Sequence, residues 1–110
     1  MNYSIYVEST PNPEVMKFVS NRMLADKSLE FLDASEAKNI PLANELFKLP
    51  FIKSVFISTN FVSINKTENV NWDDIALQVR LYISDYLNSI EIMNHTDNIQ
   101  SEPIEKTQED

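Results

Sequence analysis

None of the 110 residues is glycine. Tight turns must therefore be made by Asn, Ser, Thr or Pro, since glycine is the residue that takes positive φ at no steric cost. The same absence excludes phosphate-cradling loops and dinucleotide turns, and with them the common ATP, GTP and NAD sites. Cysteine is also missing. That removes disulfides, thiolate nucleophiles, zinc–thiolate sites and cysteine-ligated metal clusters together.

Between these constraints the chain is patterned for strands and helices. Tyr3, Ile5 and Val7 alternate with Ser4, Tyr6 and Glu8, the period-two signature of a half-buried strand. Thr10-Pro11-Asn12-Pro13 breaks it, because two prolines fix φ and lack amide donors. Val15 to Val19 resumes an extended pattern, predicting a hairpin through the proline turn. Leu29-Glu30-Phe31-Leu32 is a third, short strand. Ser54 to Ile57 and Phe61 to Lys66 make a second hairpin around Ser58-Thr59-Asn60, with Asn60 in the place glycine usually takes.

Two helices follow from capping and spacing. Pro41 suits the first helical position, where a missing amide costs nothing; Asn39 or the Ile40 backbone supplies the cap. Leu42, Ala43, Leu46 and Phe47 repeat at helical spacing before Pro50 ends the run. Asn71 caps the second helix, with Asp73 and Asp74 at the positive end of its dipole. Trp72, Ile75, Ala76, Val79, Ile83, Tyr86, Leu87 and Ile90 form one apolar stripe, which Leu77 and Leu81 are expected to widen. The fold class is α+β: an antiparallel-rich sheet of four to five strands, in two hairpins, covered on one face by two helices.

From about Met93 the character changes. One lysine, Lys106, stands against Asp97, Glu102, Glu105, Glu109 and Asp110, and few apolar residues remain to offset the entropy of ordering. Residues 1–92 are read as one domain and 93–110 as an acidic linker or tail. Over the whole chain 9 basic residues face 17 acidic ones, a net charge of −8. Binding to nucleic acid or to an anionic membrane is thereby disfavoured, since both require Lys and Arg. Met1-Asn2-Tyr3-Ser4-Ile5-Tyr6-Val7 lacks the basic start and long apolar run of a signal peptide. A soluble, cytoplasmic protein is the expectation.

No grouping of residues suits catalysis. His95 is the one histidine, without a second histidine or a cysteine to form a ligand set. Asp73-Asp74 is explained by helix capping better than by a cation. No serine or threonine has a base and an orienter in sight. No enzyme is expected, and no residue is assigned a catalytic, cofactor or metal role.

Ser9-Thr10-Pro11-Asn12-Pro13-Glu14-Val15-Met16-Lys17-Phe18 resembles the opening signature of the N-terminal domain of Nfu/NifU-type scaffold proteins, a TPNP run followed by Lys-Phe. Pro41-Leu42-Ala43-Asn44-Glu45-Leu46-Phe47, then Ile52 to Ile57, then Asn60 to Lys66, is similar to the central block of that domain, and Trp72 opens its last helix. The likeness covers roughly residues 3 to 90. Ile40 departs from a frequent capping Ser, and Ser58 from a usual hairpin Gly.

The resemblance implies a carrier of assembled iron–sulfur clusters whose Cys-x-x-Cys motif lies in a separate C-terminal domain. Ligation therefore transfers to no residue here, and the acidic tail would lead to that domain outside this chain. The expected partners are apo-iron–sulfur proteins, cluster-assembly proteins and the protein's own C-terminal domain. Thr10, Pro11, Asn12, Pro13, Lys17 and Phe18 carry the most distinctive motif and are the candidate contact surface. The alternative is a standalone interaction or regulatory domain unrelated to cluster transfer.

Overall fold

The two prolines end β1 (Ile5–Ser9), and the chain returns as β2 (Val15–Ser20), with Ile5 opposite Ser20 and Ser9 opposite Met16. This description comes from a computed structural model, which describes the backbone of residues 2–101 and the side chains of residues 2–90. Beyond the hairpin lie β3 (Leu29–Phe31), β4 (Ile52–Ser58) and β5 (Phe61–Lys66). They join β1 and β2 in one sheet of order β1-β2-β5-β4-β3, every neighbouring pair antiparallel. The two expected hairpins thus meet through β2 and β5 at the centre of the sheet.

Register decides which side chains face inward, because successive residues of a strand point to opposite faces. Val7, Phe18, Val62, Ile57 and Leu29 form one row across all five strands. Met16, Ile64, Val55 and Phe31 form the next. Against these rows pack Leu42, Ala43 and Leu46 of α1 (Pro41–Leu46) and Trp72, Val79, Ile83 and Leu87 of α2 (Trp72–Ser101), all in one buried cluster. Burying each Leu or Ile of that cluster is worth roughly 1.5–3 kcal/mol.

The helix starts are local chemistry. Pro41 is the first residue of α1, and Ile40 stands at the cap in extended conformation with no side-chain bond; the backbone alternative holds and Asn39 has no part in it. The Asn71 side chain accepts from the Asp73 amide at 2.9 Å, and the Asn71 carbonyl from the Asp74 amide at 2.9 Å, satisfying donors that the first turn leaves orphaned.

Two expectations change. β3 stops at Phe31, one residue short of Leu32. The Leu32 amide donates to Glu36 Oε1 at 2.8 Å, and Asp33 caps a 3-10 turn over Ala34–Ala37, so the chain leaves the sheet there. Leu77 and Leu81 do not widen the buried stripe: they are 61% and 47% exposed, on the side of α2 away from the sheet. The last helix, α2, continues as far as Ser101. Residues 102–110 of the acidic segment lie outside the described residues, as does the side chain of His95.

Candidate functional site

The proline turn is wired by its own side chains. Thr10 Oγ1 lies 2.9 Å from the Asn12 carbonyl and 3.0 Å from the Val15 carbonyl, to which it donates, and it accepts the Asn12 amide at 3.2 Å. Asn12 Oδ1 accepts the Glu14 amide at 2.9 Å, and the Asn12 carbonyl the Val15 amide at 3.0 Å. Short polar side chains that bond to nearby backbone make turns of this kind without glycine. Pro11, Asn12 and Pro13 remain exposed at its tip.

Glu14 anchors the turn to the rest of the fold. Its carbonyl accepts the Lys66 amide at 3.1 Å and the Trp72 indole N–H at 2.8 Å; its carboxylate accepts Lys66 Nζ at 3.1 Å. The Lys66 side chain is only 7% exposed, and its ammonium also reaches the Thr67 carbonyl at 3.4 Å. Trp72 is buried, its ring 5.7 Å from that of Phe18. Two stretches far apart in sequence, one around Glu14 and one from Lys66 to Trp72, therefore converge on one residue. Beside them opens a polar depression of about 380 Å³ lined by Asn12, Glu14, Lys53, Asn65, Lys66 and Glu68. Lys53 lies at the register irregularity between Ile52 and Ser54.

The six candidate contact residues do not form one surface. Thr10 to Pro13 stay together in the turn, but Lys17 and Phe18 point to opposite faces of β2 as neighbours in a strand must. Phe18 is 0% exposed and belongs to the core, so contact through it is closed in the folded chain. Lys17 lies on the face of the sheet opposite the helices, its ammonium 4.2 Å from the centroid of the Phe61 ring. Glu14 and Lys66, the residues that hold the turn in place, were not singled out from sequence. A lysine at an inward-facing position of a strand, in step with Val62 and Ile64, is the signal that marks Lys66.

Away from this turn, Tyr82 on α2 donates from its hydroxyl to Glu45 Oε2 at 2.7 Å, and Lys48 reaches Glu45 Oε1 at 3.1 Å. The Tyr82 hydroxyl is pushed up to about 12, by burial first and by the Glu45 carboxylate second. Glu45 is held below its ordinary value, chiefly by that hydroxyl. Tyr82 also borders an apolar cleft of about 160 Å³ with Leu49, Phe51, Gln78 and Val79. This arrangement clamps α1 to α2. Among the described residues, no group of three or more His, Cys, Asp or Glu could hold a metal ion.

Fold and turn together define a small α+β domain, its motif residues joined around one glycine-free turn. The chain belongs to the family described as "Scaffold protein Nfu/NifU N terminal", whose profile matches residues 5–90. It is 30% identical over 87 residues to the human protein named NFU1 iron-sulfur cluster scaffold homolog, mitochondrial, a match covering 77% of this chain and 34% of that protein. The Drosophila sechellia protein of the same name is 33% identical over 87 residues, 77% of this chain and 31% of its own length. The chain thus spans about a third of the curated relatives it matches.

Among solved structures, the NifU-like protein of Saccharomyces cerevisiae superposes with a TM-score of 0.64 at 25% identity, over 76% of this chain and 77% of that one. Protein SAV1430 of Staphylococcus aureus shares the fold, with a TM-score of 0.58 at 24% identity, over 74% of this chain and 98% of that one. The antiparallel α+β sheet expected from sequence is therefore the family's fold. Iron–sulfur clusters are held by thiolates, and with no cysteine this chain supplies none of those ligands.

Proposed function

We propose that this chain is the non-catalytic protein-binding domain of an iron–sulfur cluster scaffold or carrier, helping a cluster reach apo-proteins without ligating it. One observation carries the reading: membership of the scaffold family over residues 5–90 in a chain with no cysteine. What is left to such a domain is contact with proteins: apo-iron–sulfur proteins, cluster-assembly proteins, or a cluster-bearing domain of the same protein. Thr10, Pro11, Asn12 and Pro13, with Lys17 on the face of the sheet opposite the helices, form the proposed contact region. A turn held by its own hydrogen bonds loses little conformational freedom on binding, which favours affinity. The relatives' names place them in mitochondria, a departure from the cytoplasmic expectation, and no helix among the described residues is long and apolar enough to cross a membrane.

The test immobilises the chain and offers purified apo-iron–sulfur enzymes and cluster-assembly proteins one at a time. Saturable capture of at least one is expected, weakened by Asn12→Ala and Lys17→Ala together at unchanged thermal stability. Stoichiometric binding of an iron–sulfur cluster by the purified chain, turnover of a substrate, or no capture at all would overturn the reading.

A further inference from the structure

The sheet has a second face, and no helix among the described residues covers it. One register row there crosses all five strands: Glu8, Lys17, Ser63, Phe56 and Glu30. The adjoining row carries Tyr6, Val19 and Phe61. The middle of this face carries two aromatic rings beside Ser63 and Lys17, whose ammonium lies over the Phe61 ring. The Phe56 and Phe61 rings lie on neighbouring strands with centroids 6.0 Å apart, half-buried, and Val15 is half-buried beside them; Tyr6 is 59% exposed. Its margins are acidic, with Glu8 and Glu30 both exposed on the two outer strands. At about 4.8 Å per strand, each carboxylate-bearing position is about 10 Å from β5, the middle strand.

We propose that this face receives an amphipathic helix of a partner protein, with Lys or Arg flanking its apolar stripe on both sides. The inference rests on the protein-binding function proposed above and adds to its contact region a second surface, with the chemistry of the partner that fits it. Helix dimensions, side-chain reach and charge together select this occupant. A helix is about 10–12 Å across, so one lying along β5 sets its apolar stripe on Phe56 and Phe61. Long basic side chains at the edges of that stripe then span the remaining few ångströms to Glu8 and Glu30, their stems covering apolar surface on the way. The net charge of −8 steers a cationic segment inward and repels an acidic one. A second copy of this chain would bring −8 against −8, and both margins of its own face would meet carboxylates.

The test titrates the full chain, by amide NMR, with a synthetic 14-residue helix of Leu and Lys whose leucines form one stripe bordered by lysines. Two controls accompany it: a scramble of the same composition without a stripe, and a version with Glu for every Lys. The expected shifts fall on Tyr6, Lys17, Phe56, Phe61 and Ser63, and the Glu8→Lys/Glu30→Lys variant binds at least tenfold more weakly with an unchanged circular dichroism spectrum. Because that variant alters only exposed positions, Phe56→Ser serves as a second probe and is expected to weaken binding as much. Shifts confined to α2 or to the proline turn, equal binding of either control, or unchanged affinity of both variants would overturn the proposal. Loss of these same signals with rising protein concentration, before peptide is added, would overturn it too, since a second copy would then be the occupant. Capture of apo-proteins by the Glu8→Lys/Glu30→Lys variant as tight as by the unaltered chain removes this surface and leaves the protein-binding function standing; absence of all capture by the unaltered chain removes that function itself.

Discussion

The indole N–H of Trp72 donates to the main-chain carbonyl of Glu14 at 2.8 Å, tying the first turn of α2 to the end of the proline turn across 58 residues of sequence. Trp72→Phe keeps most of the ring's packing against Phe18 and removes this bond. The Glu14 carbonyl keeps its second donor, the Lys66 amide at 3.1 Å, so it is not orphaned. The expected cost is about 1 kcal/mol, that of one net hydrogen bond, measured by urea unfolding. Trp72→Ala is expected to cost about 3–5 kcal/mol.

Glu14 and Lys66 are unequal members of their pair. Lys66 is buried, while the Glu14 side chain is 45% exposed. Removing Glu14 leaves an ammonium inside with one carbonyl at 3.4 Å; removing Lys66 leaves a carboxylate that water reaches. Glu14→Ala is therefore expected to destabilise by about 1–3 kcal/mol. Lys66→Met, which fills the same space with an apolar chain, is expected to cost less than Glu14→Ala. Denaturation midpoints of the two variants in one buffer check the order, and a larger loss for Lys66→Met would contradict it.

The Tyr82–Glu45 clamp ties stability to pH at both ends of the scale. Tyr82 has a folded value raised to about 12 from 10.0, so its contribution is complete below about pH 10 and is lost as the pH rises toward 12. Glu45 is lowered from 4.5, so its contribution is present above about pH 4.5 and is lost as the pH falls below that. An alkaline absorbance titration of the tyrosines is expected to end in a late component that Tyr82→Phe diminishes, Tyr86 being raised by burial as well. The same variant should unfold less steeply with acid, because Glu45 loses the hydroxyl that holds it ionised.

A leucine and an isoleucine on α2 separate helical pattern from burial. Leu81 is 47% exposed and Ile83 is 1% exposed. Leu81→Gln is expected to change stability by no more than about 0.5 kcal/mol, as an ordinary surface substitution does. Ile83→Ala is expected to cost about 2–5 kcal/mol through lost transfer energy and the cavity left behind. Thermal unfolding followed by circular dichroism distinguishes these outcomes.

Much of this fold is written in short-range signals. Alternation located β1, β2, β4 and β5; the prolines located the first turn; Pro41 and Asn71 located the starts of α1 and α2. Each of these depends on residues within a few positions of one another, which is the range over which dihedral preference, capping and periodicity act. The absence of cysteine likewise needed no structure. The candidate contact residues were legible as a motif, but not as a surface: adjacent strand positions Lys17 and Phe18 share a signature and face opposite ways.

What only the tertiary structure decided is how distant segments pair. β2 lies beside β5 rather than β3, Glu14 meets Lys66 and Trp72, and the row from Glu8 to Glu30 assembles one residue from each of five strands. Leu77 and Leu81 extend the apolar pattern yet stay in solvent, because α2 has a single sheet to lie on and its far side meets nothing among the described residues. Periodicity states which residues prefer burial; register and packing direction determine which of them are buried. Those are properties of contacts between segments tens of residues apart, and no local pattern encodes them.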